Sequence, residues 1–437
     1  MGDNSSLNAM EKAIEISKSM SKREKVISLA LLIIVGTFTN YIYVLTVYVQ
    51  PLSEAHGWSM NLIVLAYSMS MFIMIPAYAA GGWVTAKFGI KKILLASAAA
   101  YGLSILGSGL VTNVYAFIFF MGVLSSFALY GVFMASLSLI NVMFPEKKGT
   151  AMGLLYGFQT LGAAAFSPLA DFFITRYSVT ASLVIQGIAF TIIMVVAAAF
   201  VKDPTRGNAE LVSEIQKAAD ETEQAEGLAG KIQIPDMRWK MSLRNPAVYI
   251  ILISMILIQM FGNAITSDSV YMATTYYGVS STAAAYSATV FGLACAIGAV
   301  VIGLISDKIG PYSTTMWLGI FDGILLVVLA LAGTEHFAFF IIIVAVQGFT
   351  YNGMCALNPI MMTDSFHPDD LGAMMAIIGV GYTIVGIIGP QIGLDMPYIP
   401  MLIFCAVCSV VGGILSKVAA GSLNKYYERQ GSKCRVK

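Results

Sequence analysis

Gly82-Trp83-Val84-Thr85-Ala86-Lys87-Phe88-Gly89-Ile90-Lys91-Lys92 and its echo Gly303-Leu304-Ile305-Ser306-Asp307-Lys308-Ile309-Gly310-Pro311-Tyr312-Ser313 lie 221 positions apart, each between two long apolar runs. Glycine permits positive φ and close backbone approach, so such a stretch suits a tight turn between two spans. Its lysines favour the positive side of a membrane. Two copies at matching places predict a chain built from two related halves.

Composition sets the solvent. Of 437 residues, 58% are hydrophobic and 11% charged, against about a quarter charged in soluble domains. Net charge is +1, which provides no basic field for nucleic acid. Cys295, Cys355, Cys405, Cys408 and Cys434, and His56, His336 and His367, show no metal-ligand spacing. They predict no metal, no cofactor and no disulfide framework.

Twelve apolar spans follow, each near the roughly 20 residues that cross a bilayer: 26–50, 61–84, 92–111, 114–143, 150–173, 180–201, 247–270, 282–305, 313–332, 337–362, 372–394 and 398–420. They divide the chain into a tail (1–25), a six-span bundle (26–201), a linker (202–246), a second bundle (247–420) and a second tail (421–437). The tail before the first span shows no cleavable signal pattern. Residues 7–16 suit a short amphipathic helix and a frayed cytoplasmic tail equally; 202–246 reads by default as a linker, with helix formers that suit a helical stretch at 208–226. All the basic residues but Arg176 fall in the tails, the linker and alternate loops, or in the span ends beside them. The positive-inside rule then puts both termini in the cytoplasm of a cell-membrane protein. The acidic stretch Phe366-His367-Pro368-Asp369-Asp370 departs from that pattern.

The halves repeat beyond the turn. Phe144-Pro145-Glu146-Lys147-Lys148-Gly149 answers Phe366 to Gly372, and Gly131, Gly157 and Pro168 match Gly353, Gly379 and Pro390 at an offset of 222. Repeats on this scale build secondary transporters, with the site at the repeat interface near the membrane midplane.

The pattern Gly-x-x-x-Asp-(Arg/Lys)-x-Gly-x-(Arg/Lys)-(Arg/Lys) marks the major facilitator superfamily, which the chain resembles along nearly its whole length. The first copy keeps Gly82, Lys87, Gly89, Lys91 and Lys92 with Ala86 in place of Asp; the second keeps Gly303, Asp307, Lys308 and Gly310. The resemblance implies an all-α membrane fold of two six-helix bundles, and conformational gating by these loops. It also implies that the Asp holds an outward-open state, so that Ala86→Asp should strengthen the lock and Asp307→Ala should matter less. Gly57-Trp58-Ser59-Met60 and Phe144 to Gly153 look like the oxalate/formate antiporter and monocarboxylate transporter branch. That branch places basic residues in its C-terminal spans, whereas 282–305 and 372–394 contain no Lys or Arg.

In such a fold the first, fourth, seventh and tenth spans line the cavity. Polar residues at helical spacing there are Thr37 and Tyr41 with Tyr48; Ser125 and Ser136; Gln259 and Asn263 with Thr266; and Gln347, Tyr351 and Asn358. Gln159 with Tyr156, and Tyr382, add to them from the fifth and eleventh. Together these predict a substrate pocket; singly, each also suits a hydrogen bond between helices. Asp322 is the one carboxyl near mid-span, flanked by Gly319 and Gly323. Burial without a basic partner favours its neutral form. It is a proton-coupling candidate, or an acid bridging two helices.

These readings predict a secondary transporter, symporter or antiporter, monomeric in the bilayer, moving a small organic solute by alternating access. A monocarboxylate-like organic anion coupled to a proton is the family-based expectation. The alternative is an efflux or exchange carrier for neutral or amphipathic compounds. No Gly-x-x-x-x-Gly-Lys-(Ser/Thr) run is present, and the spans carry no cluster of catalytic side chains, so an enzyme is not expected.

Overall fold

The structure is a computed structural model that describes residues 20–145, 147–204, 243–332, 336–366 and 370–429. The helix candidates at 7–16 and 208–226, His367 and the last residues of the chain lie outside these. So do the side chains of Ala86, Thr266, Asp268 and Asp395.

Twelve membrane-length helical segments run through the described residues. In the first half, α1 comprises Lys22–Thr39, a 3-10 turn Asn40–Val44 and Leu45–His56. It is followed by α2 (Met60–Phe88) and α3 (Ile90–Leu110). α4 comprises Val114–Phe117, a π turn Ile118–Leu124 and Ser125–Met143. α5 (Lys148–Arg176) and α6 (Val179–Phe200) complete that half. The second half contains α7 (Pro246–Tyr277), α8 (Ser281–Ile309), α9 (Pro311–Ala332), α10 (Phe337–Ser365), α11 (Leu371–Asp395) and α12 (Tyr398–Arg429). Eleven of them are long and apolar enough to cross a membrane by composition. The twelfth, α5, is as long at 29 residues, but glycines and polar residues interrupt its apolar run.

Most helices outrun their apolar spans, because hydropathy marks only the part that meets lipid. The largest correction is at the chain's end. The tail expected from 421 is still helix through Arg429, with Leu423 and Tyr427 buried and the Tyr427 hydroxyl donating to the Ser365 carbonyl. Outward-facing side chains such as Ile192, Phe200, Ile297 and Leu331 are large, apolar and exposed. That surface needs lipid as its solvent.

The halves pack alike. In the first, α3 pairs with α6, α1 with α5 and α2 with α4; in the second, α9 pairs with α12, α7 with α11 and α8 with α10. Between halves, α5 lies on α8 and α2 on α11, which are equivalent pairs under the repeat. Gly157 meets the Ala296 carbonyl on the first seam, and its repeat partner Gly379 meets Tyr78 and Met74 on the second. The turns that opened the sequence analysis are equivalent too. Gly89 has φ 86° and Gly310 φ 85°, a backbone region that glycine enters without steric cost. Each donates its N–H to the last turn of the helix before it.

Candidate functional site at the bundle interface

Two polar faces, one on α10 and one on α7, follow from spacing. Gln347, Tyr351, Cys355 and Asn358 recur at intervals of three or four and so share one helix face. Gln259 and Asn263 do the same on α7. The faces meet where Asn263 Nδ2 donates to the Tyr351 hydroxyl at 3.1 Å. Gly262 admits the Tyr351 ring, since a Cβ there would stand 2.8 Å from the ring's Cγ. α7 and α10 run antiparallel, so one turn further along each, Gln259 comes level with Cys355 and, just beyond it, Asn358. α11 closes the group: Asn358 Nδ2 donates to the Tyr382 hydroxyl at 3.2 Å, and that hydroxyl donates to the Cys355 carbonyl at 3.5 Å. α8 adds Phe291, its ring 5.9 Å from that of Tyr351.

The first bundle faces this cluster with aromatic rings. Gly379 of α11, one turn from Tyr382, lies against the Tyr78 ring of α2. Tyr78 packs on Tyr130 and Phe133, with centroids 4.6 and 5.6 Å apart, and Phe133 packs on Tyr156 at 5.7 Å. Asn352, one residue past Tyr351, ties the bundles together by donating to Thr160 Oγ1 at 2.9 Å and to the Cys295 carbonyl at 3.0 Å.

Two side chains in the cluster retain unused hydrogen-bonding capacity. Gln259 is 1% exposed, and neither its carboxamide nitrogen nor its oxygen has a hydrogen-bond partner. Asn358, also 1% exposed, leaves its Oδ1 unpartnered. Buried polar groups are rarely left so. Gln347, one turn from Tyr351, is a third such side chain, with its Nε2 unpartnered.

The first half departs from the expected pocket. Tyr41, 1% exposed, turns into its own bundle, where its hydroxyl meets that of Tyr48 at 2.5 Å. Tyr48 reaches Ser182 at 2.8 Å, and Gln186 Nε2 donates to Tyr48 at 2.9 Å. Gln159 Nε2 donates to Thr39 Oγ1 at 3.3 Å, between α5 and α1. The Thr37 hydroxyl bonds back to the Ile33 carbonyl at 2.7 Å, and Gly162 of α5 lies against the Thr37 backbone. Ser125 donates to the Met121 carbonyl within the π turn; Ser136 is buried. For Thr37, Tyr41 and Tyr48 the physical reason is the break at Asn40–Val44, which resets the helical phase that a continuous period assumes. Polar stripes also overlooked the aromatic wall of Tyr78, Tyr130 and Phe133. Asn352 escaped because it lies one residue off the Tyr351 stripe.

Asp322 on α9 is 3% exposed. It faces protein rather than lipid, as the flanking glycines imply: Gly319 approaches the Ser409 carbonyl and Gly413 of α12, and Gly323 approaches Ala406 and Val410. It stands beside Thr350 of α10, which is not on the Tyr351–Asn358 stripe.

Below the cluster, on the face that carries the 204–243 link, the bundles are latched. Asp307, at the end of α8, accepts from the backbone N–H groups of Gly149 and Thr150 at 2.7 and 2.9 Å and from the Thr150 hydroxyl at 2.5 Å. It therefore caps the positive end of α5 from the opposite bundle. Lys148 pairs with Asp364 of α10 at 2.9 Å. Asp307 thus carries three cross-bundle hydrogen bonds, which weighs against the expectation that Asp307→Ala matters less than Ala86→Asp. Lys91 serves its own bundle, donating to the Ala198, Ala199 and Val201 carbonyls at the end of α6.

A sequence model of the major facilitator superfamily matches residues 29–274 and 259–420, so the chain belongs to that family. The oxalate:formate antiporter of Oxalobacter formigenes is 25% identical over 336 residues, 74% of this chain and 73% of the relative. An uncharacterized MFS-type transporter of Escherichia coli K12 is 22% identical over 334 residues, 76% and 77% of the two chains. Among solved structures, a proton:xylose symporter aligns over 95% of this chain and 99% of its own at TM-score 0.59 and 14% identity. The fucose:proton symporter of E. coli aligns over 91% and 99% at TM-score 0.63 and 14% identity. The chain is a multi-pass membrane transporter and not an enzyme.

Proposed function

We propose that this member of the superfamily is a secondary transporter that moves a small organic solute by rocking its two bundles about the Gln259–Asn263–Tyr351–Asn358–Tyr382 cluster. The observation that carries the reading is the cluster's position: polar atoms from three helices of one bundle meet an aromatic wall of the other at mid-depth, above a latched seam. Binding there bridges the bundles, and a ligand shifts a conformational equilibrium only through such differential contacts. A monocarboxylate-like acid remains the favoured solute, in keeping with a relative named for oxalate and formate. The coupling ion in this reading is a proton, as named for the two symporters. Both termini and the 204–243 link are assigned to the cytoplasm of a cell-membrane monomer, from the distribution of Lys and Arg.

The test is uptake into proteoliposomes from a panel of short organic acids and neutral solutes, with and without a pH gradient. Concentrative uptake is expected for the wild type. Asn358→Leu should raise the apparent KM at least tenfold while the protein stays folded. Unchanged KM would show that the cluster serves only to hold helices together. Asp322→Asn mimics the protonated acid. It should retain exchange and lose accumulation if Asp322 holds the coupled proton, and be silent if it only bridges α9 to its neighbours.

A further inference from the structure

The chain has no Lys or Arg between Lys25 and Lys87, Lys92 and Lys147, Arg244 and Lys308, or Lys308 and Lys417. The stretches of α1, α2, α4, α7, α8, α10 and α11 that surround the interface cluster therefore hold no fixed cation. What the cluster offers instead is the unpartnered carboxamide of Gln259 and the unpartnered Oδ1 of Asn358. Which terminal atom is nitrogen is an assignment, but for Gln259 it makes no difference. With both atoms free, either orientation presents one donor and one acceptor.

An ionised carboxylate accepts hydrogen bonds and donates none, whereas a protonated carboxyl does both. A carboxylate placed against Gln259 would leave the amide oxygen unsatisfied, facing a negative charge, in a buried site without a counter-ion. That burial is costly. A group with a donor beside an acceptor, such as a carboxylic acid or a primary amide, satisfies the carboxamide in a paired geometry. The titratable groups facing the cluster are Tyr351 and Cys355 of α10, Tyr382 of α11, Cys295 of α8, Tyr156 of α5 and Tyr78 of α2. Tyr and Cys are neutral over pH 5–7 at their ordinary values, so none supplies a charge there.

We propose that the cluster recognises an uncharged hydrogen-bonding head group. An organic acid then binds as the protonated acid and carries its own proton: the carboxylate takes up the proton on the side of entry and gives it back on the side of release, with no net charge moved. The inference rests on the transport reading above and deepens it, and it needs no proton-carrying side chain.

The experiment measures binding and uptake of two acid–amide pairs, lactate with lactamide and benzoate with benzamide, from pH 5 to pH 7.5. A carboxyl near its ordinary pKa of about 4 loses about tenfold in neutral fraction per pH unit. The apparent affinity for an acid of at least one pair should fall by that factor per unit, while that of its amide stays level and the two compete. Gln259→Met, which keeps the shape, should weaken acid and amide alike at least tenfold. Acids bound equally at pH 5 and 7.5 with their amides inert would overturn the inference and leave the transport reading standing. Wild-type amide affinity in Gln259→Met would overturn it as well. Binding of no member of either pair would overturn it together with the monocarboxylate reading.

Discussion

The α5–α8 and α2–α11 seams occupy equivalent places in the two repeats and are built differently. On the first, Gly149, Gly153 and Gly157 lie against Gly303, Ala299 and Ala296, nearly backbone on backbone, with Asp307 adding charged contacts and Lys148 pairing beside it with Asp364 of α10. On the second, Gly379 meets Tyr78, Met74 and Ile75, and Thr383 donates to the Met71 carbonyl at 3.1 Å. Backbone contact has one fit, whereas methionine re-packs at little cost. The first seam is a latch with a defined closed position; the second is a bearing surface that tolerates movement. The charges agree with that division. α5 begins at Lys147-Lys148 and receives Asp307, while α11 has an acidic residue of its own, Asp370, at its N-cap position, without a side-chain capping hydrogen bond; a negative charge there suits the positive end of the helix. An acid at position 86 would add to that charge, so Ala86 suits the second seam.

Three substitutions test the contrast, read as the distribution of distances between spin labels placed across the two bundles on the linker face. The largest effect is expected from Gly153→Val. Its Cβ would stand 2.9 Å from the Ala299 carbonyl carbon and 3.0 Å from Val300 Cα, backbone atoms with no room to yield. Overpacking of this kind costs about 2–3 kcal/mol, enough to displace the closed population. A wild-type distribution would show that the seam is not the latch.

Asp307→Ala comes next. It removes three hydrogen bonds to one carboxylate, for a net loss of about 2 kcal/mol, and the linker face should open roughly thirtyfold more often. An effect no greater than that of Ala86→Asp would restore the ranking that the family pattern alone gives. Ala86→Asp is the smallest, within about 0.5 kcal/mol, because an acidic residue, Asp370, already stands at the start of α11. A shift towards closure as large as the loss in Asp307→Ala would erase the asymmetry.

How much the sequence revealed depended on local regularity. The α7 and α10 stripes were legible because both helices run unbroken through Gln259, Asn263, Tyr351 and Asn358, so spacing alone determined their faces. Thr37, Tyr41 and Tyr48 misled because a 3-10 turn intervenes, and no periodicity count reveals where a helix changes phase. The two loop motifs were legible as turns, down to the positive φ of Gly89 and Gly310. The weight of Asp307 was not, because it depends on which helix end faces it, and that is decided 158 positions away at Gly149. The aromatic wall was hidden for a related reason: in a chain with 24 Phe and 21 Tyr, a ring is no signal until its neighbours are known.

Alternating access about the cluster is the central claim. It is tested most directly by recording two label pairs in one sample, one across the α5–α8 seam at the linker face and one across the bundles at the opposite face, before and after adding a transported solute. The account predicts opposite changes: the linker-face distance lengthens from its latched value as the far-face distance shortens, and Asp307→Ala moves both the same way without solute. Distances at both faces that stay fixed under either treatment, or that lengthen together, would contradict it.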